Sequence, residues 1–241
     1  MNLPGLRDFT SARVGLPRSG CSLPTREHLA LRLAHAQARD AVRSELDVAS
    51  LALELKPMTE EVVVVHSAAT DRATYVRRPD LGRRLAAGSR ELIAGHRDRF
   101  DAVFVIADGL SACAVQHHAS RLIEAVLPRL HPDGWKLAPF VVAQQGRVAI
   151  GDEIGGAIGA AISVVLIGER PGMSSPDSLG VYLSWNPHPG LTDADRNCIS
   201  NIRAEGLSYT TAAIRLVYLM NESRRRKLSG IHLKEAAKEL D

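Results

Sequence analysis

Cysteine is scarce in this chain of 241 residues: Cys21, Cys113 and Cys198 lie far apart and show no CxxC spacing. An odd, sparse set builds no disulfide framework and points to a reducing compartment. Long apolar runs are missing too. The longest, such as residues 162–167, fall far below the ~20 residues of a membrane span. The opening Met-Asn-Leu-Pro-Gly-Leu-Arg-Asp has no apolar stretch of signal-peptide length. Nor is there an excess of one charge: 30 Lys and Arg against 27 Asp and Glu leave a net +3, too little to argue for nucleic acid. The basic run Arg224-Arg-Arg-Lys227 ends a helical pattern, where it opposes the helix dipole as a solvated turn. These absences leave a soluble, cytoplasmic globular protein as the expectation.

What is present is an ordinary globular composition, 45% apolar and 24% charged, arranged in alternating blocks. Residues 1–24 are punctuated by proline and glycine and read as an extended arm. Phe9, Val14, Leu16 and Leu23 suit it to lying against another surface. From Thr25 the spacing of Leu29, Leu33, Ala36 and Ala41 predicts a helix to about residue 45, with Thr25 as its N-cap. Four consecutive valines, 62–65, then suit a strand buried on both faces. Further strands are expected at 102–106, 138–143, 163–167 and 179–185, with helices at 83–95, 111–130, 152–161 and 209–227. Strand and helix in alternation predict an α/β fold with an open, mostly parallel sheet. The chain divides at residue 58 into an N-terminal arm plus helical region and a larger α/β domain, 59–241.

In such a sheet, ligands bind beyond the carboxyl ends of the strands, and the unusual residues fall there. Ala107-Asp-Gly-Leu-Ser111 joins a strand to a helix, with Gly109 permitting a tight turn and Ser111 able to cap. Gly109-Leu-Ser-Ala-Cys113 lacks the second glycine of a GxSxG elbow, so a hydrolase is a poor reading. Residues 168–178 form a loop rich in Gly, Pro, Ser and charge; it either brings Glu169 and Arg170 to a binding rim or simply solvates them. A third polar cluster, 193–202, places Cys198 near Arg196, a neighbour that can activate a thiol. No histidine is implied nearby as a base, so Cys198 reads as a contact residue and not a nucleophile. No catalytic group is assigned. No metal site is expected either: His117 and His118 point about 100° apart on a helix, and they, His188 and His232 read as surface or capping histidines. There is no GxGxxG or GxxxxGK[ST]; Gly151, Gly155, Gly156 and Gly159 suit close helix packing instead. On residue chemistry alone this is an α/β binding domain.

Longer phrases carry more. Thr10-Ser-Ala-Arg-Val-Gly-Leu16, Ser22-Leu-Pro-Thr25, Leu33-Ala-His-Ala-Gln-Ala-Arg-Asp-Ala-Val42, Tyr75-Val-Arg-Arg-Pro-Asp-Leu-Gly-Arg83 and Gln145-Gly-Arg-Val-Ala-Ile-Gly-Asp-Glu-Ile-Gly155 follow in order. Leu166-Ile-Gly-Glu-Arg-Pro-Gly172, Ser178-Leu179, Ala194-Asp-Arg-Asn-Cys-Ile-Ser-Asn-Ile202 and Ser229-Gly-Ile231 complete the set. Over nearly its whole length the chain resembles the ethanolamine ammonia-lyase small subunit.

That resemblance implies a Rossmann-like domain that binds adenosylcobalamin at an interface with a large, barrel-shaped catalytic subunit, in a hetero-oligomer that turns ethanolamine into acetaldehyde and ammonia. No D-x-H-x-x-G occurs, and the family is expected to hold cobalamin with its dimethylbenzimidazole on cobalt. Carried over by matching phrases, the cofactor contacts fall on Val148, Glu169 and Cys198: an apolar wall, an acceptor for amide or ribose groups, and a neutral contact. Relative to the family pattern the stretch between Glu169 and Cys198 is about one residue short, which puts the loop near Pro187 in question. The chain also opens almost at the first shared phrase, without the leader that some relatives use for packaging in a bacterial microcompartment. Two rivals stand beside this reading. One is a stand-alone nucleotide- or S-adenosylmethionine-binding transferase built on the Asp108-Gly109 turn; the other is a scaffold that keeps the fold without cobalamin.

Overall fold

The computed structural model describes residue 5 and residues 12–234; Phe9 of the arm lies outside them. Four parallel strands, β1 (Val62–His66), β2 (Phe100–Ala107), β3 (Phe140–Gln144) and β4 (Ala160–Gly168), lie in the order β1-β3-β2-β4. Two antiparallel strands, β5 (Leu179–Trp185) and β6 (Arg196–Ile202), extend that sheet to six beyond β4. The sheet is therefore mixed, and the expected parallel order holds for its first four strands only.

Strict alternation along β2 shows how the layers form. Ala102, Phe104 and Ile106 enter one apolar cluster, while Val103, Val105 and Ala107 enter the other. The first cluster is closed by α2 (Val48–Leu55), α5 (Ala112–Leu130) and α7 (Tyr209–Arg226). The second is closed by α4 (Ala87–Gly95) and α6 (Ile150–Ile158), through Ile93, Ile150, Ile154 and Ile158. Helices on both faces of one sheet give three layers. Each fully buried Leu or Ile in those helices is worth ~2–3 kcal/mol.

Several expectations change at the edges. The valine run is not buried on both faces: β1 is an edge strand, and Val64 stays 40% exposed while Val63 and Val65 are buried. The first helix, α1 (Thr25–Arg43), has Pro24 at its N-cap with no side-chain cap, so Thr25 is its first residue and not the cap. Three elements add to those expected: α2, α3 (Arg72–Arg77) and β6. α2 is capped by Asp47, whose carboxylate accepts from the Ser50 amide at 3.0 Å. α3 is a short helix of 6 residues capped by Asp71. β6 exposes Cys198, Ser200 and Asn201 and buries Ile199, Ile202 and the ion-paired Arg196. Among the glycines expected to permit close packing, Gly151 faces Val165 and Gly155 faces Pro187, with no room for a side chain at either.

The order β1-β3-β2-β4 creates the feature that matters. β2 leads into α5 on one face, and its neighbour β3 leads into α6 on the other. The two chains part at the carboxyl ends of these strands and leave a crevice there.

Candidate functional site

Asp108 follows β2 directly and is 3% exposed. Its carboxylate accepts hydrogen bonds from the backbone amides of Gln145, at 2.8 Å, and Gly146, at 2.9 Å, just past β3. The turn it holds puts Gln145 in the left-handed region, φ 54°, which costs a non-glycine residue ~1–2 kcal/mol. Burial pushes the Asp108 carboxyl up from its ordinary value, while the Gln145 and Gly146 amides and the Arg72 guanidinium, 3.8 Å away, draw it back. Arg72 in turn donates to the carbonyls of Val42 and Gly109, both at 2.8 Å. This small network ties the end of α1, α3 and the carboxyl ends of β2 and β3 into one unit.

Tyr75 on α3 is fully buried between two guanidinium groups, with Arg72 4.7 Å and Arg147 4.2 Å from its ring centre. Such cation–π contacts are strongest where water is excluded. The Tyr75 hydroxyl donates to the Gly146 carbonyl at 3.2 Å and is pushed up to about 12 by burial. Arg147 rests one guanidinium nitrogen on the Tyr75 carbonyl at 3.3 Å, while its Nε is buried with no hydrogen-bond partner.

Between these groups and β4 opens a cavity of about 380 Å3. Tyr75, Arg147 and Val148 line one side, Gly109 and Gly168 another, and Glu169 and Tyr182 a third. A Cβ at Gly109 (φ 58°) would strike the Gly168 carbonyl, and one at Gly168 would strike the carbonyls of Ser111 and Asp108; these close approaches bring the carboxyl ends of β2 and β4 together. Glu169 is half-buried. Its carboxylate accepts from the Ser178 hydroxyl and from the Asn201 amide at 3.2 Å, and it lies against Gly180. The polar loop is therefore more than a solvated connection around Glu169. It is tied down again where Ser111 donates to the Pro176 carbonyl at 2.9 Å, besides capping α5.

The structure thus brings Val148 and Glu169 to one cavity, whereas Cys198 is not among its lining residues. Cys198 is exposed on β6 in register with Tyr182, and Tyr182 does line the cavity. Burial pushes the Tyr182 hydroxyl up, and Cys198 and Glu169 add to the shift. The Cys198 thiol sits 3.2 Å from the Ser200 hydroxyl. Arg196 spends its charge elsewhere, on Asp152 and on Asp193 at 3.2 Å.

Tyr75, Arg147 and Tyr182 are the lining residues that sequence reasoning did not single out; they lie in shared phrases or in an expected strand, with no motif of their own. His118 also departs from a surface histidine: it is buried, 2.7 Å from the Tyr209 hydroxyl and 3.6 Å from Asp177. Among the described residues no group of three or more His, Cys, Asp or Glu is arranged to hold a metal ion, and no helix is long and apolar enough to cross a membrane.

Comparison with known proteins follows the same stretch of chain. Residues 2–234 match the family model described as Ethanolamine ammonia-lyase light chain (EutC). The chain is 54% identical over 236 residues to the ethanolamine ammonia-lyase small subunit of Pseudomonas paraeruginosa, covering 96% of this chain and 86% of that one. The small subunits of Azotobacter vinelandii, 54% identical, and Ralstonia nicotianae, 53% identical, are alike over 96% of this chain and 87% of theirs. By family match and by identity along its length, this chain belongs to the family of ethanolamine ammonia-lyase light chains, the small subunits of that lyase.

Proposed function

We propose that this chain is the cobalamin-binding subunit of an adenosylcobalamin-dependent ethanolamine ammonia-lyase, assembling with a large catalytic subunit to convert ethanolamine to acetaldehyde and ammonia. The observation that carries it is the meeting of Val148 and Glu169, from different strand ends, in one cavity at the switch point of the sheet. The residues present fit a corrinoid: an apolar wall at Val148, an acceptor at Glu169, and a buried Arg147 Nε still short of an acceptor.

When bound, adenosylcobalamin supplies a carbon radical by homolysis of its cobalt–carbon bond; the protein supplies placement. Val148 would pack against the macrocycle or base, and Glu169 would accept from side-chain amides or ribose. Cys198 would contact the cofactor as a neutral group from the exposed face of β6, beside Tyr182. Ser178 and the Asn201 amide hold the Glu169 carboxylate in one orientation.

The same proposal includes the Rossmann-like character of the parallel half of the sheet and the division into an N-terminal region, 1–58, and a cobalamin-binding domain, 59–241. Leu51 and Leu55 of α2 are fully buried in the first apolar cluster, so the helical part of the first region packs as part of the larger core. A place in ethanolamine degradation, in the cytoplasm or within a bacterial microcompartment, follows from the same reading.

The test is co-expression with a large subunit. The complex should release acetaldehyde from ethanolamine only with adenosylcobalamin, and the chain alone should show no turnover. Activity of the isolated chain, or of a complex indifferent to the cofactor, would sink the proposal. Within it, Glu169→Ala should weaken cobalamin binding to the complex; unchanged affinity would remove Glu169 from the site.

A further inference from the structure

Beside the cofactor cavity lies a second, larger one of about 940 Å3, and Arg147, Val148 and Tyr182 form the wall between them. Its charge is unusual. Five arginines line it, Arg83, Arg84, Arg90, Arg147 and Arg196, against three carboxylates, Asp152, Glu153 and Asp193, a balance of 5 − 3 = +2. All three carboxylates are already spent. Glu153 pairs with Arg90 at 2.6 Å, and Asp152 and Asp193 both pair with Arg196. Among the described residues, Arg83, Arg84 and Arg147 have no carboxylate within ion-pair distance, whereas Arg90 and Arg196 do.

Two of these three are held side by side by backbone. The Arg147 amide donates to the Gly82 carbonyl at 2.7 Å, and the short helical turn Leu81–Arg83 lies against the Arg147 side chain so tightly that a Cβ at Gly82 would come within 2.8 Å of its Cγ. The Arg147 Nε is buried without an acceptor, a state that ordinarily costs ~1–3 kcal/mol and calls for a partner. Guanidinium groups with free donors recognise phosphate by paired, charge-assisted hydrogen bonds.

We propose that this arginine-lined cavity seats a phosphodiester, the one that links the corrin to its nucleotide base in cobalamin. The proposal rests on the cobalamin reading above and deepens it. The corrin would occupy the cavity of Val148 and Glu169, and the nucleotide tail would cross the Arg147–Val148–Tyr182 wall, so that its single negative charge meets Arg83, Arg84 and Arg147.

The experiment uses the complex with the large subunit, carrying either the parent chain or Arg83→Ser/Arg84→Ser, two exposed positions whose change leaves the core untouched. Absorbance titration gives Kd for cobalamin, for cobinamide phosphate, and for cobinamide, which has no phosphate. The double variant should bind cobalamin and cobinamide phosphate about tenfold more weakly and cobinamide within twofold of the parent. Arg147→Met, as a second variant, should show the same selectivity for the phosphate-bearing corrinoids. Inorganic phosphate should compete with cobalamin for the parent and lose that effect in the double variant. Equal losses for all three corrinoids, or no loss for any, would overturn the assignment. So would a site that binds inorganic phosphate while cobalamin and cobinamide phosphate bind the variant as they bind the parent, since it would then serve free phosphate. A parent complex that takes up no corrinoid refutes the cobalamin reading itself, and with it this proposal, and is recognisable as that separate failure.

Discussion

Replacing Asp108 tests how the fold sets the site. Its carboxylate accepts two backbone amides, at 2.8 and 2.9 Å, from a turn that carries Arg147 and Val148 into the cavity, and it faces Arg72 at 3.8 Å in a place where both side chains are largely buried. Hydrogen bonds to a charged group contribute ~1.5–3 kcal/mol each, and breaking a buried ion pair from one side costs ~3–5 kcal/mol. The two effects share one carboxylate and do not simply add, so Asp108→Ala should cost about 3–5 kcal/mol. At roughly 2–4 °C per kcal/mol for a chain of this size, thermal unfolding followed by circular dichroism should shift down by roughly 6–20 °C. Asp108→Asn keeps the volume and one acceptor oxygen, and should lose about 2 kcal/mol. Cobalamin affinity of the assembled complex should fall in the same order, because Gln145 is released from its left-handed turn. An Asp108→Ala protein that melts within about 3 °C of the parent would refute the idea that this carboxylate pins the β3–α6 turn.

Three further outcomes follow from other contacts. Gly109→Ala meets both a left-handed backbone and the Gly168 and Ile167 atoms pressed against it; it should lower unfolding free energy by at least ~2 kcal/mol, and an unchanged urea midpoint would count against the close approach of β2 and β4. Burial lowers the pKa of His118, so the folded protein takes up that proton less readily than the unfolded chain. Its contribution to stability is complete above the unfolded value of about 6.5 and is lost as pH falls through the lower folded value; the parent should therefore lose more stability between pH 7.5 and 5 than His118→Gln does, and parallel curves would refute this. For the pair Arg196 and Asp152, each 3% exposed at the side chain, Asp152→Leu alone should cost ~3–5 kcal/mol, whereas Asp152→Leu with Arg196→Met should cost less than the sum of the single changes by ~1 kcal/mol or more in a double-mutant cycle.

The legible part of the fold is the part in which chemistry repeats. Strands β2 and β4 sit between helical layers on both faces, so they appear as continuous apolar runs, and α5 and α7 each bury one long stripe against the sheet. β6 was invisible for the opposite reason. Arg196 points inward to an ion pair, Asn197 is bonded to Gly230 and Leu233, and Cys198 is exposed, so the run Arg-Asn-Cys-Ile-Ser-Asn-Ile shows no apolar pattern. α2 and α3 are too short, 8 and 6 residues, for a helical period to stand out. Val64 misled because four identical residues cannot reveal that their strand is an edge with one face partly open.

The site divides in the same way. Glu169 and Val148 were named from phrases that keep their neighbours in sequence, and the Asp108-Gly109 turn was marked by its place after a strand. Tyr75, Arg147 and Tyr182 meet only because β1, β3 and β5 are ordered by the sheet and not by the chain. The Tyr75 hydroxyl is spent on a carbonyl, both tyrosines are pushed up by burial, and the Glu169 carboxylate is bound by two donors. Among the described residues, the Arg147 Nε is the one buried side-chain polar atom of the cavity lining that has no hydrogen-bond partner. On the proposals above, a cavity in which a single buried donor among the described residues remains unsatisfied, beside a cavity with two more unpaired arginines, would orient a large ligand with an anionic tail and leave the reacting end of that ligand to the surface it faces.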